Sequence, residues 1–448
     1  MSHFMRASKY RHVFVEQPKP DTMYTGFELA TATGEQNYIK GNTKFFAVGV
    51  RGGGGPVAVL PYSQTGRYKK GEQPLVCGHK AAVTDMAFNP FHENLLGTCS
   101  EDSTIKVWGI PEGGLTEHIS EPLVDLHGHA RKCTLMDFHP TAQHICCSAS
   151  GDFTMKLWDI EKASELVTFE GMSQLIQDFA WDYCGNLCAT TSKDKILRLY
   201  DGRTGTVSMQ KEQPHEGAKS TKLVWLGPKQ KLVSVGFTRQ SQRQMKIWDP
   251  RKMDAELKRV DIDQAAGVIM PFYDPDTAML FLAGKGDGNV RYYECIDTDP
   301  HCFLLGEYRS TTAQKGVTFC PKRGLDVMGC ETARCLKLAQ KGGGADVEVL
   351  KFIVPRKSEA FQDDLFPDTF AGQPSMTAEE WMGGVSKPPV LMTLNPSGVS
   401  SGNAAAAAAS ADYVAPKSAM QLQKELDAAN DRIAKLEAKL AEAGISAD

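Results

Sequence analysis

Long hydrophobic runs and a strong net charge are both missing from this sequence of 448 residues. The longest uncharged stretch, residues 388–411, contains proline, serine and asparagine, so it does not fit a membrane span. The first ten residues carry Arg6 and Lys9 but no apolar segment, which argues against a secretory signal. A formal charge of −4 provides no overall field that would attract nucleic acid. These absences predict a soluble cytosolic protein with no membrane span and no nucleic-acid partner.

The twelve cysteines lack the spacing of a zinc site. Cys184-x3-Cys188 and Cys330-x4-Cys335 each stand without a second pair at a suitable distance. Other cysteines are scattered through apolar runs, as small buried side chains are in proteins of reducing compartments. We therefore predict reduced structural thiols and no metal site.

Catalytic and nucleotide-binding patterns are also absent. Gly217-Ala-Lys-Ser-Thr221 lacks the first glycine and the Gly-Lys pair of a phosphate-binding loop. The glycine-rich stretches at 52–55 and 284–288 are typical of turns between strands. No nucleophile, base and orienting group occur in a recognisable set. The sequence therefore predicts no catalytic residue, no cofactor and no enzyme activity.

A repeat of about 45 residues is the strongest positive signal in the sequence. Four segments alternate apolar and polar residues and then reach an aromatic residue, as half-buried strands do. The aromatic residues are Trp108, Trp158, Tyr200 and Trp248, separated by 50, 42 and 48 residues. A weaker fifth segment covers residues 289–293. Repeats of this length with a terminal aromatic residue are typical of the blades of a β-propeller.

The internal spacing of these repeats is more specific than their period. An aspartate lies six residues before the aromatic position in four repeats, some of which add a hydroxyl residue and an earlier Gly-His pair. The two complete sets are His79, Thr98, Asp102 and Trp108, followed by His129, Ser148, Asp152 and Trp158. Such groups can satisfy one another as a buried hydrogen-bonded chain. We interpret both histidines as structural struts of the blades and not as catalytic bases.

These observations predict an all-β fold: a seven-bladed WD-type propeller followed by an α-helical coiled coil. The two blades with weak repeats are expected at 44–62 and 302–338, and Gln242 replaces the aspartate of the fifth blade. The predicted domains are the propeller, a packed C-terminal extension, a flexible linker rich in proline, serine, glycine and alanine, and the coiled coil. Their predicted ranges are 1–345, 346–387, 388–417 and 418–444.

The last segment has apolar residues at alternating spacings of three and four, which is a heptad seam. The a positions are Ala419, Leu426, Ile433 and Leu440, and the d positions are Leu422, Ala429, Leu436 and Ala443. A helix this short is marginal alone, so it needs partner strands. Ile433 at a and Leu436 at d favour a dimer by simple seam rules. The predicted oligomerisation residues are Leu422, Leu426, Arg432, Ile433, Leu436, Glu437 and Leu440.

The N-terminal segment combines a short strand with the cations Arg6, Lys9 and Arg11. One interpretation is an edge strand whose solvated charges prevent aggregation. The other is a patch that meets an acidic protein surface. Sequence alone leaves these two interpretations open.

Several segments that no generic propeller requires resemble the coronin family. They are Ser8-Lys-Tyr-Arg-His-Val-Phe14, Val76-Cys-Gly-His79, Phe272-Tyr-Asp-Pro-Asp-Thr277, Gly284-Lys-Gly-Asp287, Pro321-Lys-Arg-Gly-Leu325, Val354-Pro-Arg-Lys-Ser358 and Phe361-Gln-Asp-Asp-Leu-Phe-Pro-Asp-Thr369. The resemblance covers nearly the whole chain apart from the linker.

The resemblance implies an N-terminal strand that completes the last blade and a tail that lies along one propeller face. It also implies binding to filamentous actin, links to the actin-related nucleating complex and to cofilin, and a location in the cytoplasm at the cytoskeleton and cell cortex. Arg432-Ile-Ala-Lys-Leu-Glu437 resembles the short trimer motif of coronin coiled coils. On that basis we favour a parallel homotrimer over a dimer or an antiparallel tetramer.

One position departs from the family pattern. Animal coronins tend to carry a basic residue, associated with filament contact, where this chain has Glu28. The leading hypothesis is nevertheless an actin-filament binding and crosslinking protein, with Arg6, Lys9 and Arg11 as candidate contacts. The alternative is a general propeller scaffold in trafficking or signalling, for which actin is incidental.

Overall fold

Seven sheets follow one another along the chain from residue 39 to residue 353 in this computed structural model, which describes residues 8–30, 35, 37–398 and 419–442. Each of five sheets contains four consecutive antiparallel strands, and the first sheet contains three. The last sheet combines strands from both ends of the propeller sequence. This arrangement confirms the predicted all-β, seven-bladed propeller.

The first six blades are built from consecutive strands. Blade one contains β3 (Ile39–Gly41), β4 (Phe45–Gly49) and β5 (Val57–Pro61); blade two contains β7 (Val83–Phe88), β8 (Leu95–Ser100), β9 (Ile105–Gly109) and β10 (Val124–Leu126); blade three contains β11 (Cys133–Phe138), β12 (Ile145–Ser150), β13 (Met155–Asp159) and β14 (Ser164–Phe169). Blade four contains β15 (Ile176–Trp181), β16 (Leu187–Ser192), β17 (Ile196–Asp201) and β18 (Val207–Glu212); blade five contains β19 (Lys222–Trp225), β20 (Leu232–Phe237), β21 (Arg243–Trp248) and β22 (Lys258–Asp263); blade six contains β23 (Ile269–Asp274), β24 (Met279–Gly284), β25 (Val290–Cys295) and β26 (Cys302–Tyr308). Short 3-10 helices cover Pro20–Thr22, Gly227–Lys229 and Lys322–Gly324.

Burial rises from the outer strands to the strands at the middle of each blade. Every residue of β12 is buried, because both of its faces pack against other residues of the ring. The outer strand β18 alternates exposed and half-buried residues. Close packing between blades leaves little space: a Cβ added at Gly97 would lie 2.3 Å from the Met136 side chain of the next blade. Small residues in the middle strands therefore allow neighbouring blades to approach.

The N-terminal segment closes the ring. Blade seven contains β27 (Gln314–Phe319), β28 (Glu331–Lys341) and β29 (Gly344–Ile353), and β29 pairs with both β1 (Phe14–Glu16) and β2 (Tyr24–Phe27). The short β6 (Gly66–Arg67) adds to β2 in parallel. Tyr10 and Val13 are buried in the core of this blade. The structure therefore has the closure that the family resemblance implies.

The extension after the propeller packs along one face of the ring. Leu365 and Phe366 join the core of the closing blade, and Met376 forms a backbone bridge with Ala142 of blade three. A short helix, α1 (Ala378–Met382), places Trp381 against blades three and four. Strands β30 (Thr369–Phe370) and β31 (Leu391–Met392) pair with each other. We call this side of the propeller the tail face.

Two predicted domain boundaries are wrong. The boundary at residue 345 falls inside β29, which continues to Ile353 because its pairing with β28 and β1 extends that far. The predicted linker from residue 388 starts too early, because β31 pairs with β30 and Leu394 packs on the core. The packed extension therefore continues to about residue 395.

The C-terminal segment forms one helix, α2 (Ala419–Glu442), inside the predicted range 418–444. Leu426, Ile433 and Leu436 are each about half exposed, at 53%, 51% and 53%. The side chains of Leu422 and Leu440 lie outside the described residues, as do the predicted seam residue Ala443 and most of the predicted linker. No helix within the described ranges is both long and apolar enough to cross a bilayer.

Removal of residues 1–16 is expected to destabilise the ring. The deletion takes away β1 and the buried side chains of Tyr10 and Val13, and it uncovers an edge of β29. Loss of the buried Tyr10 side chain alone should lower the free energy of unfolding by about 3–5 kcal/mol. Thermal unfolding should show a lower midpoint with loss of cooperativity or aggregation. A cooperative unfolding transition at the original temperature would contradict the closure account.

Candidate functional site

The two complete sets of blade residues form continuous hydrogen-bonded chains. His79 contacts Asp102 through Nδ1 at 2.9 Å and Thr98 through Nε2 at 2.8 Å. Trp108 Nε1 donates to Thr98 Oγ1 at 2.8 Å. In these chains a loop before the blade is joined to the turn between its second and third strands. The structure thus brings together the four residues that the spacing had grouped.

The second chain repeats this geometry in blade three. His129 lies 3.0 Å from Asp152 and 2.9 Å from Ser148, to which Trp158 Nε1 donates at 2.8 Å. Burial lowers the pKa of His129, although Asp152 opposes that shift. Burial alone would raise the pKa of Asp152, but hydrogen bonds, led by those from Thr154, hold it near 2. A neutral imidazole beside an ionised carboxylate therefore fits a structural strut.

A third chain was missed in the sequence. His215 Nε2 contacts Ser234 Oγ at 2.8 Å, and Trp248 Nε1 donates to the same hydroxyl at 2.8 Å. The signal was available, because His215 precedes Ser234 by 19 residues, as His79 precedes Thr98. The pattern was not recognised because the expanded hairpin before Gln242 increases the sequence separation of Ser234 and Trp248 to 14 positions, compared with 10 between Thr98 and Trp108.

The aspartates at the repeat position in blades four and six form ion pairs with arginine instead of hydrogen bonds with histidine. Asp194 forms an ion pair with Arg198 at 2.8 Å in blade four. Asp287 of blade six pairs at 2.7 Å with Arg243, which also contacts Asp263 at 2.6 Å. Arg243 is 1% exposed, so two carboxylates from adjacent blades neutralise one buried cation.

The hydrogen-bonded chains identify one face of the propeller. Successive antiparallel strands place the turns between second and third strands on the same side as the connections between blades. We call each set of histidine, hydroxyl residue, aspartate and tryptophan a tetrad. The side of the propeller that carries the tetrads lies opposite the tail face, and we call it the tetrad face. Its loops in blades two to five carry the basic arc, a row of exposed cations consisting of Lys80, Arg131, Lys193, Lys195 and Lys219.

Most of the basic arc is not neutralised within the chain. Among the described residues, the side-chain nitrogens of Lys80, Arg131 and Lys193 form no ion pair within 4 Å, although the backbone amide of Lys80 donates to Asp102 at 2.8 Å. Lys195 and Lys219 donate to the backbone carbonyls of Glu216 and Ala266, at 3.0 and 2.7 Å. The five side chains therefore remain available as cations to a partner, although the whole chain is slightly acidic.

The N-terminal cations lie elsewhere. The Lys9 ammonium donates to the backbone carbonyl of Asp364 in the extension, and burial lowers the pKa of Lys9. Arg11 is exposed on the same segment, and Arg6 lies outside the described residues. The structure thus gives Lys9 an internal contact with the extension and separates it from the basic arc.

Glu28 stands beside cations. Its carboxylate pairs with Lys70 at 2.7 Å, and its backbone carbonyl accepts a hydrogen bond from the Arg51 amide at 2.7 Å. Both side chains of the ion pair are about half exposed. Exposed pairs of this kind contribute little to stability. The negative charge of Glu28 is therefore offset locally by Lys70.

The described residues contain no cluster of three or more histidine, cysteine, aspartate or glutamate side chains that could hold a metal ion. The tetrads are buried and mutually bonded, so their polar atoms are committed within the blades. The accessible surface includes the basic arc and the half-exposed Leu426, Ile433 and Leu436 of α2. The arrangement therefore offers surfaces for other proteins.

Family comparisons cover separate parts of the chain. A domain of unknown function (DUF1899) matches residues 3–67, which contain the closing strands β1 and β2 and all of blade one. WD domains of the G-beta repeat type match 72–109, 120–159 and 163–201. A further type of WD40 repeat matches 347–389, which covers most of β29 and the extension to α1.

Similar proteins match almost the entire chain. Coronin-A of Dictyostelium discoideum is 45% identical over 98% of this chain and 97% of its own. Human Coronin-2A is 39% identical over 87% of this chain and 75% of its own. The crystal structure of the WD40 domain from Toxoplasma gondii coronin superposes with a TM-score of 0.81 at 31% identity, covering 86% of this chain and 98% of that one. A chain of the mitotic checkpoint complex, 13% identical with a TM-score of 0.56, shares the fold alone.

Substitutions within the third blade test the role of its hydrogen-bonded chain. Asp152→Ala should lower the free energy of unfolding by about 1–3 kcal/mol because it leaves buried partners unpaired. Trp158→Ala should lower it by about 3–5 kcal/mol. Since folding lowers the pKa of Asp152 from 3.8 to about 2, its contribution is present at neutral pH and lost as the pH falls below about 4.

Chemical denaturation measures both effects, and Asp254→Ala is the control at an exposed aspartate whose carboxylate forms no ion pair among the described residues. The control should change stability by less than about 0.5 kcal/mol. If Asp152→Ala is as silent as the control, the hydrogen-bonded chain does not stabilise that blade.

Proposed function

The chain belongs to the coronin family, and from this membership we propose that it binds filamentous actin and crosslinks the filaments. The basic arc on the tetrad face is the observation that carries the proposal. It supplies a row of exposed cations across four consecutive blades for the acidic surface of a filament. A row of this length matches an extended partner better than a small ligand.

The contact is electrostatic and individually weak. An exposed ion pair contributes at most about 1 kcal/mol, and salt screens it. Several such pairs give a moderate affinity for one propeller. Specificity then comes from the spacing of the charges around the ring, which the rigid blades hold constant.

Oligomerisation through α2 multiplies these weak contacts. Leu426, Ile433 and Leu436 form an apolar stripe that a single chain leaves about half exposed. Partner helices would bury it, as a heptad seam requires. Linked propellers on one filament gain avidity, and propellers on two filaments crosslink them.

A parallel trimer is the proposed state. Arg432 at g and Glu437 at the next e position can bridge adjacent parallel helices, because the guanidinium fork holds a carboxylate in two places. Its aliphatic stem then covers part of the seam. Ala429 at a d position makes the core small, so three copies of this bridge have a large influence on the assembly.

The N-terminal cations Arg6, Lys9 and Arg11 form a second proposed contact with actin. Lys9 is already bonded to the extension, which favours a structural role for it. The family membership also supports the actin-related nucleating complex and cofilin as partners. With these partners, the proposed location is the cytoplasm, at the cytoskeleton of the cell cortex.

Charge reversal on the basic arc should weaken filament binding. The double variant Lys80→Glu, Lys193→Glu replaces two attractions with repulsions, so we expect about tenfold weaker binding at low salt. Co-sedimentation with actin filaments across a salt series measures it. The difference from the unmodified chain should shrink as salt rises.

The matched control is Lys252→Glu, Lys357→Glu, which makes the same charge change at exposed positions away from the arc. A third variant, Lys9→Glu, Arg11→Glu, tests the N-terminal contact. Equal losses in the arc variant and the control would remove the arc from the interface. A loss confined to the third variant would move the contact to the N-terminal segment.

A further inference from the structure

An aromatic cavity of about 440 Å³ lies on the tail face between blades six and seven. Its wall includes Phe272 of β23, Phe281 of β24, Phe319 of β27 and Phe370 of the extension. The ring centroids of Phe272 and Phe319 are 5.0 Å apart, and those of Phe281 and Phe319 are 4.6 Å apart. Three blade residues therefore form one continuous aromatic surface in a cavity of the size that small ligands occupy.

Two carboxylates and one ammonium line the same cavity. Asp274 and Asp276 come from the end of β23 and the turn after it, and Lys322 comes from the 3-10 helix of blade seven. The Lys322 ammonium pairs with Asp274 and donates to the Thr332 carbonyl. The charges of Lys322 and Asp274 therefore offset each other, and the carboxylate of Asp276 forms no ion pair among the described residues.

Asp276 also has hydrogen-bonding capacity that the described part of the chain leaves unused. Thr369 Oγ1 donates to Asp276 Oδ2 at 2.6 Å, which favours the ionised carboxylate. No described group donates to Asp276 Oδ1, and that atom is not fully buried. Burial, followed by the charge of Asp274, raises the pKa of Asp276 to about 7, while Lys322 and the Thr369 hydrogen bond oppose the shift. A cation with an N–H donor would complete both the charge balance and the hydrogen bonding of this carboxylate.

The aromatic wall discriminates among possible ligands. A guanidinium is more weakly hydrated than an ammonium, stacks on aromatic rings and carries several N–H donors. An anion would meet two carboxylates, and a purely apolar group would leave Asp276 desolvated and unpaired. The chain already places one guanidinium of its own nearby, because Arg323 lies 5.8 Å from the ring centroid of Phe370. Arg323 pairs with Glu93 at 3.2 Å and so does not neutralise Asp276.

We propose that this cavity is a binding site for a guanidinium group, carried by an arginine side chain of a partner polypeptide. The guanidinium donates to Asp276 Oδ1 and stacks on the aromatic wall. The cavity is larger than a guanidinium alone, so it also accepts the aliphatic stem of arginine, which packs on the rings. The site lies on the opposite side of the ring from the basic arc, so one propeller can hold this partner and a filament together.

Titration of the full chain with short peptides tests the proposal. Saturation-transfer NMR follows binding at about pH 8, where Asp276 is mostly ionised. The probes are an acetylated Gly-Arg-Gly amide and the same peptide with citrulline, which keeps the shape of arginine without its charge. We expect saturable binding of the arginine peptide at about millimolar concentration and about tenfold weaker binding of the citrulline peptide. Methylguanidinium, which lacks the stem, should also bind about tenfold more weakly than the arginine peptide.

Variants of the cavity identify the groups that bind. Asp276→Asn should weaken binding of the arginine peptide about tenfold, because it removes the negative charge. Asp254→Asn makes the same change at an exposed aspartate without an ion pair among the described residues, and it should bind like the unmodified chain. Amide hydrogen exchange of residues 366–372 shows whether the extension stays docked in each variant. If Asp276→Asn releases the extension, Phe272→Leu takes its place, and loss of this ring should weaken binding about threefold.

Equal binding of the arginine and citrulline peptides would overturn the proposed site, as would the absence of saturable binding. Unchanged affinity in Asp276→Asn with a docked extension, or in Phe272→Leu, would overturn it as well. Methylguanidinium that binds as tightly as the arginine peptide would contradict a polypeptide as the source of the guanidinium.

Discussion

Closure of the ring by the N-terminal strands is the constraint on which the rest of the structure depends. Strand β29 receives β28 on one side and both β1 and β2 on the other, so the two ends of the propeller sequence meet in one sheet. Every other blade folds from consecutive strands, and only this one needs chain segments more than 300 residues apart. Without that pairing, the blades would form an open array with exposed edges.

The closed ring has two faces with different structural roles. On the tetrad face, buried chains such as His129, Ser148, Asp152 and Trp158 fix the loops that carry the basic arc. On the tail face, the extension covers the turns of blades three, four, six and seven. The proposed binding surface and the docked extension thus lie on opposite sides of the ring, and the same blades support both.

Much of this fold could be predicted from the sequence, because blade contacts are local and regularly spaced. His79 and Thr98 are separated by 19 residues in one blade, and the short turns between strands preserve that spacing. Contacts between residues far apart in the sequence produce no regular spacing and could not be predicted in this way. The bond from Thr369 to Asp276 and the contact of Lys9 with Asp364 span 93 and 355 positions and follow no period. The end of the extension was missed because residues 388–395 have a linker-like composition although they pack on the propeller.

The central claim is that weak propeller contacts become filament binding through assembly of α2. Co-sedimentation of the full chain and of Ile433→Asp with actin filaments tests it most directly. A buried charge in the seam should prevent assembly while it leaves each propeller intact. The account predicts that the variant binds about a hundredfold more weakly and no longer bundles filaments. Equal binding and bundling by the two proteins would contradict it.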